Sequence, residues 1–243
     1  MEQVYHKICF FEYWGKIKYC DKLSKCDKIS QMQALTELVL LKSKRGWFFK
    51  REAVAWTGRS GAAFDGLLKR ALAVGEVLRV ARGLYCLKND LLHFKLNPLV
   101  FASLIYGPSY LSFESALSYR GWIPEAVYSF ASVSLSRSSE FETPFGTFFY
   151  RRVPQDNFYA GVERISLEQQ GAFFVARPLK AMADLVYLNG WDWNSAKPVL
   201  ESLRVEMDDL CELKSQDFEE IGECYRSGRV QKFLCGLRVD LGL

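Results

Sequence analysis

The sequence predicts an α+β fold, with three short helices and a β-hairpin ahead of a mixed α/β body that ends in helices. The apolar residues of 34–87 change from a helical spacing to the alternation typical of strands. Residues 127–176 contain short runs rich in aromatic and β-branched residues, and amphipathic helical patterns follow from residue 192. We therefore expect an N-terminal extension over residues 1–31, a first domain over 32–90 and a second over 91–243.

The composition is that of a folded protein. Of 243 residues, 49% are hydrophobic and 25% charged, which excludes a disordered chain. No apolar run is long enough to cross a bilayer, and the N-terminal apolar patch is interrupted by Glu12, so we expect neither membrane nor signal segment and a cytoplasmic protein. The seven cysteines form no C-x-x-C pair and there are two histidines, so we expect neither metal nor cofactor.

The charge is unevenly distributed along the chain. Residues 1–88 contain 17 lysines and arginines against 8 acidic residues, a net charge of +9. Residues 89–243 contain 15 against 20, a net charge of −5. A basic first third on an acidic body favours a polyanionic partner for that third, although a solvated lysine-rich surface would have the same composition.

Two helices are predicted first. Leu35, Leu38 and Val39 share one face of a helix that begins at Ala34, and the basic, glycine-containing run over residues 42–46 ends it. Residues 49–56 predict a second, short helix. Lys50 at its start lies where a helix N-terminus could meet a phosphate.

A third helix and a hairpin follow. Residues 57–60 predict a turn that places Ser60 as N-cap of a helix over residues 61–74, which has one apolar stripe that includes Phe64 and Leu68. Residues 76–87 alternate around a turn at Arg82 and predict the hairpin. Three helices, a tight turn between the last two, and a hairpin are typical of a winged helix-turn-helix.

We interpret this domain as one that binds double-stranded DNA. Its third helix buries one stripe and leaves the opposite face free for a major groove. The candidate DNA-binding residues lie on this face, at the start of the second helix or on the wing: Lys50, Arg51, Arg59, Ser60, Ala62, Lys69, Arg70, Arg79 and Arg82. Asp65 would repel phosphate, so it either reads a cytosine amino group or lies off the interface. The alternative is a winged domain that contacts proteins.

The body predicts helices around a central group of strands. Helices are expected over residues 92–106, 113–120 and 179–188, and strands over residues 127–135 and 173–176, with a hairpin over 141–153 that turns at Pro144. The hairpin acids Glu140 and Glu142 flank a turn, and Lys180 and Asp184, at i and i+4, are interpreted as a surface pair or a cap contact. We therefore expect no enzyme; the alternative is a metal-dependent nuclease anchored on DNA.

Three segments of the chain resemble the AbiEi-type antitoxins of type IV, abortive-infection toxin–antitoxin systems. They are the strand Val80-Ala81-Arg82-Gly83-Leu84-Tyr85-Cys86-Leu87, the run Gly107-Pro108-Ser109-Tyr110-Leu111-Ser112-Phe113-Glu114-Ser115-Ala116-Leu117, and the helix Val175-Ala176-Arg177-Pro178-Leu179-Lys180-Ala181-Met182-Ala183-Asp184-Leu185-Val186-Tyr187. The turn Pro144-Phe145-Gly146 also fits. The likeness spans residues 34–190. Trp122 and Leu179 depart from the family pattern, as does the N-terminal extension.

The resemblance implies a transcriptional repressor that is also the antitoxin of a phage-defence system. In that family the winged domain binds inverted repeats in its own promoter, and the body counteracts a nucleotidyltransferase-type toxin, without a stable complex between them. An orphan winged-helix regulator is the alternative within the family. Tyr85, Tyr110, Ser112 and Ser115 are expected to pack the core or cap helices.

Overall fold

The computed structural model describes residues 32–124 and 129–243. The predicted extension over residues 1–31, and the first two residues of the strand predicted over 127–135, lie outside the described residues. Within those two ranges the chain forms ten α-helices, a short 3₁₀ helix (Asn89–Leu91) and nine strands in two sheets. The predicted α+β class is confirmed.

The N-terminal unit, residues 32–88, consists of three helices and a three-stranded antiparallel sheet. Its elements in order are α1 (Ala34–Lys42), β1 (Trp47–Phe49), α2 (Lys50–Thr57), α3 (Gly61–Ala73), β2 (Val77–Ala81) and β3 (Leu84–Leu87). The strands pair in the order β1-β3-β2. Side chains from the three helices and from one face of the sheet form the core, including Leu35, Val39, Phe48, Phe64, Leu68 and Tyr85.

Strand β1 corrects the predicted start of the second helix. Phe49 was placed in that helix, but it ends β1 and lies opposite Leu84 of β3. The helix begins one residue later, where the N–H of Phe49 donates to Glu52 Oε2 at 2.8 Å. A strand of three residues depends on pairing with a distant segment rather than on its own periodicity, which explains why it was not predicted.

The body is built around a six-stranded mixed sheet. Its elements in order are α4 (Leu99–Ile105), β4 (Ser109–Leu111), α5 (Phe113–Arg120), β5 (Phe130–Ser134), β6 (Ser139–Thr143), β7 (Gly146–Arg152), β8 (Val162–Leu167), β9 (Gly171–Ala176), α6 (Pro178–Asn189), α7 (Lys197–Ser202), α8 (Met207–Leu210), α9 (Ser215–Gly222) and α10 (Gly228–Asp240). The strand order is β6-β7-β5-β4-β9-β8. The pairs β4–β9 and β5–β7 are parallel, and the other three are antiparallel.

Three predictions for the body need correction. Residues 92–106 were predicted as one helix, but only Leu99–Ile105 is α-helical. The N–H groups of Leu96 and Asn97 donate to the side chains of Asn89 and Gln170 instead, and Pro98 has no N–H to continue the pattern. The strand predicted over 127–135 runs from Phe130 to Ser134, and β4 and β8 were not predicted.

The sheet of the N-terminal unit is buried on both faces. Phe48 and Tyr85 on one face belong to the core of that unit, whereas Trp47, Leu84 and Cys86 on the other pack into the core of the body. The indole Nε1 of Trp47 donates to the carbonyl of Gln170 at 2.7 Å. The body therefore supports the hairpin β2–β3 from behind.

Candidate nucleic-acid interface and a buried polar cluster

Helix α3 has an inward apolar stripe and an outward face. Phe64, Leu68 and Ala71 are buried against the rest of the unit. The predicted contact residues Ala62, Lys69 and Arg70 are exposed. The small Ala62 at the N-terminal end leaves the backbone accessible there, so a groove could approach the first turn of the helix closely.

The turn between α2 and α3 is made by Gly58, whose φ of +62° favours glycine. Arg59 lies in this turn, as predicted, and is exposed. Ser60 occupies the N-cap position with extended backbone, as predicted, but its side chain makes no capping hydrogen bond within the described residues. Its hydroxyl and the first N–H groups of α3 therefore face the surface next to Arg59.

The start of α2 is joined to both the β2–β3 hairpin and α3. The N–H of Lys50 donates to the carbonyl of Gly83 in the β2–β3 turn at 2.8 Å. The Nζ of Lys50 lies 2.6 Å from Asp65 Oδ1 on α3. This hydrogen bond raises the pKa of Lys50. Asp65, for which a base contact or a place off the interface was considered, instead pairs with a predicted DNA-binding residue and reduces the charge that Lys50 offers.

Arg51 and the arginines of the β2–β3 hairpin are less engaged in contacts than Lys50. Arg51 is exposed and its guanidinium carbon lies 5.0 Å from the ring centroid of Phe49, a contact that holds it near the helix start. Arg79 on β2 and Arg82 in the turn are both exposed. Gly83, with φ of +77°, completes that turn. The structure thus brings Lys50, Arg51 and Arg82 together around the Lys50–Gly83 hydrogen bond.

Six of the predicted DNA-binding cations are exposed and lack acidic partners within residues 32–124 and 129–243. They are Arg51, Arg59, Lys69, Arg70, Arg79 and Arg82. Two acids of the unit are engaged elsewhere: Glu52 accepts from Arg45 at 2.6 Å, and Glu76 accepts the N–H of Gln33. Burial opposes ionisation of Glu52, but its bonds from Phe49 N–H and Arg45 prevail and lower its pKa. The surface therefore keeps an excess of uncompensated positive charge.

The position of Lys180 and Asp184 is the main error of the sequence-based interpretation. They were interpreted as a surface pair or a cap contact, yet both side chains are 0% exposed. Asp184 accepts three hydrogen bonds, from Tyr110 (2.9 Å) and Ser112 (2.7 Å) to Oδ2 and from Tyr225 (2.6 Å) to Oδ1. The reason for the burial is that α5, α9, α10 and β9 all pack on α6.

Lys180 completes what we call the buried polar cluster: Tyr110, Ser112, Gln155, Lys180, Asp184 and Tyr225. Its Nζ donates to Gln155 Oε1 and lies 4.6 Å from the ring centroid of Tyr225. Gln155 Nε2 in turn donates to the Tyr110 hydroxyl at 2.8 Å. Burial lowers the pKa of Lys180, although Asp184 acts in the opposite direction. Burial also raises the pKa of Asp184, against the effect of Lys180 and the three hydroxyl donors.

Two features are absent from the described residues, a cluster of metal ligands and a membrane-spanning helix. No group of three or more histidine, cysteine or acidic side chains in residues 32–124 and 129–243 is placed to hold a metal ion. In the same ranges no helix has the length and apolar character needed to cross a lipid bilayer. Comparison with known proteins finds no matching family model and no matching curated protein.

Proposed function

We propose that residues 32–90 form a winged helix-turn-helix and that the chain is a DNA-binding transcriptional regulator. The order α1-β1-α2-α3-β2-β3 and the strand order β1-β3-β2 support this interpretation, because they place a hairpin wing beside a helix with one free face. In the proposed complex α3 enters the major groove. Arg79 and Arg82 on the wing, with Arg51 at the start of α2, contact phosphates.

The observation that carries the proposal is the exposed, uncompensated charge of the N-terminal unit. Six of its predicted DNA-binding residues are exposed arginines and lysines with no acidic partner in the described part of the chain, whereas residues 89–243 have a net charge of −5. Phosphate neutralisation provides most of the affinity of duplex binding, so positive charge confined to one unit favours a duplex as its partner.

We further propose, from the resemblance of the three segments to AbiEi-type antitoxins, that the regulator represses its own operon and counteracts a nucleotidyltransferase-type toxin in phage defence. The operator is expected to contain inverted repeats, and the protein is expected in the cytoplasm. Of the motif residues, Tyr110, Ser112, Lys180 and Asp184 lie inside the body. They support its fold rather than a toxin-contacting surface.

The proposal is tested by binding to a labelled duplex from the promoter of the chain's own gene, compared with a shuffled duplex of equal composition. We expect the promoter fragment to bind on the order of 10³-fold more tightly at physiological salt, the lower range for specific binding. Fluorescence anisotropy with an excess of unlabelled shuffled competitor measures the ratio. Equal affinity for the two duplexes would exclude autoregulation through this fragment.

The Lys50–Asp65 pair makes a second prediction. Asp65→Asn removes a negative charge from the exposed face of α3 and releases Lys50, so we expect affinity for any duplex to rise about threefold, the scale of a surface ion pair. The same anisotropy assay measures it. Glu168→Asn, an exposed acid in the body, is the matched control and should change nothing. Unchanged binding by Asp65→Asn would place α3 off the interface.

A further inference from the structure

A cleft of about 640 Å³ opens on the surface of the body. Its lining residues all lie between residues 135 and 229, outside the N-terminal unit. The residues that matter to its chemistry are Arg152, Gln155, Asp156, Tyr187, Arg226 and Arg229. They come from the end of β7, the segment after it, the end of α6 and the start of α10. Its volume falls in the range of about 300–1,000 Å³ that is typical of small-molecule sites. We call it the arginine cleft.

The charge of the arginine cleft is opposite to that of the body around it. Three arginines line the cleft and Asp156 is the one acid that faces it, in a body of net charge −5. Asp156 accepts a hydrogen bond from Arg226 Nε at 2.8 Å, which fixes that guanidinium and leaves its terminal nitrogens for another acceptor. The guanidinium groups of Arg152 and Arg229 have no hydrogen-bond or ion-pair partner among residues 32–124 and 129–243.

A second cleft of the body shows the contrast. In this second cleft, of about 330 Å³, Arg177 pairs with Asp217 at 2.7 Å and with Glu220. Arg120 there pairs with Glu163 at 2.6 Å. The arginines of the second cleft are thus neutralised from within the chain, whereas those of the arginine cleft are not. Like charges gathered in a concave surface repel one another, and an anion from outside would relieve that repulsion.

The floor of the arginine cleft is held by the buried polar cluster. Gln155 lines the cleft while its carboxamide accepts from Lys180 and donates to Tyr110. Asp156 is anchored too, since its N–H donates to the carbonyl of Cys224 at 2.9 Å. The segment between β7 and β8 that presents these groups is therefore anchored at both residues without a ligand, and such preorganisation favours binding.

We propose that the arginine cleft binds a nucleoside triphosphate. Arg152, Arg226 and Arg229 bind the phosphate groups, because planar guanidinium groups pair with phosphate oxygens bidentately. The half-buried ring of Tyr187 stacks on the base. Every nucleobase has a flat face on which an aromatic ring can stack. The proposal is independent of DNA binding by the N-terminal unit.

Isothermal titration calorimetry of the full chain with ATP, GTP and inorganic tripolyphosphate tests this proposal. We expect saturable binding of ATP or GTP with a Kd on the order of 10–100 μM, and weaker binding of tripolyphosphate. Arg152→Ala/Arg229→Ala should weaken nucleotide binding about tenfold or more through loss of two charged contacts. Tyr187→Ala should weaken nucleotide binding about fivefold without changing tripolyphosphate binding.

Two control variants separate this site from other basic surfaces. Arg164→Ala removes an exposed arginine of β8 outside the cleft, and Arg79→Ala/Arg82→Ala removes the wing charges. Both should bind nucleotide like the unchanged protein. No saturable binding up to about 1 mM, loss of binding in the wing variant alone, or equal affinity for tripolyphosphate and nucleotides would each overturn the proposal.

Discussion

Asp184→Ala is expected to lower the free energy of unfolding by about 3–5 kcal/mol, the usual effect of removing one partner from a buried charged pair. The substitution leaves the hydroxyl groups of Tyr110, Ser112 and Tyr225 without their shared acceptor. It also leaves the buried ammonium of Lys180 without its nearby negative charge. Urea denaturation followed by far-ultraviolet circular dichroism measures the difference.

A matched control and a double variant test whether the loss of stability comes from the buried pair itself. Glu168→Ala removes an exposed carboxylate and should stay within about 0.5 kcal/mol of the unchanged protein. Lys180→Met/Asp184→Leu removes both charges and should destabilise by less than the sum of the two single substitutions, because neither charge is left alone. A loss below about 1 kcal/mol for Asp184→Ala would contradict the structural role of the buried polar cluster.

The second large effect is expected on the wing. Arg79→Ala/Arg82→Ala should weaken binding to the promoter duplex by about 10- to 100-fold, since two charged contacts to phosphate are lost. Both side chains are exposed, so the variant should fold normally. Arg164→Ala/Arg238→Ala removes two arginines of the body, one exposed and one half-buried. It lowers the net charge by the same amount and is the matched control. Equal weakening by this control would point to a general charge effect rather than contacts from the wing.

The sequence predicts best those elements whose signal is local. The apolar stripe through Phe64 and Leu68 of α3 and the alternation around Gly83 correspond to a helix and a hairpin in the structure. Both patterns are complete within one segment. Strand β1 has three residues and is defined by its pairing with β3, so a local pattern could not reveal it. Strand β8, at the edge of the larger sheet, has Glu163 and Arg164 next to each other, which interrupts the apolar alternation that would have predicted a strand.

The buried polar cluster illustrates what the sequence leaves open. The spacing of Lys180 and Asp184 is the same for a surface pair and for a buried one. The partners Tyr110 and Tyr225 lie 74 and 41 residues from Asp184, and only the fold brings them together. One signal was present: residues 179–186 are apolar on every side of the helix apart from this pair, a pattern typical of a fully buried helix.

The candidate DNA-binding residues were identified from charge and helix face, and eight of the nine are exposed, with Lys50 partly so. The Lys50–Asp65 pair was not foreseen, because the two residues are 15 positions apart on different helices. The arginine cleft was also not foreseen. Arg152 is distant in sequence from Arg226 and Arg229. Only the fold places the end of β7 close to the start of α10, so that the three arginines line one cleft.

The salt dependence of binding to the promoter duplex tests the proposed interface most sharply. The logarithm of the association constant is measured against the logarithm of salt concentration for the unchanged protein, Arg79→Ala/Arg82→Ala and the body control. If the two arginines contact phosphates, the slope of the wing variant should be shallower by about 0.9 per lost contact, roughly 2 in all. The body control should keep the original slope. A wing variant whose slope and affinity match those of the unchanged protein would contradict DNA binding through this face.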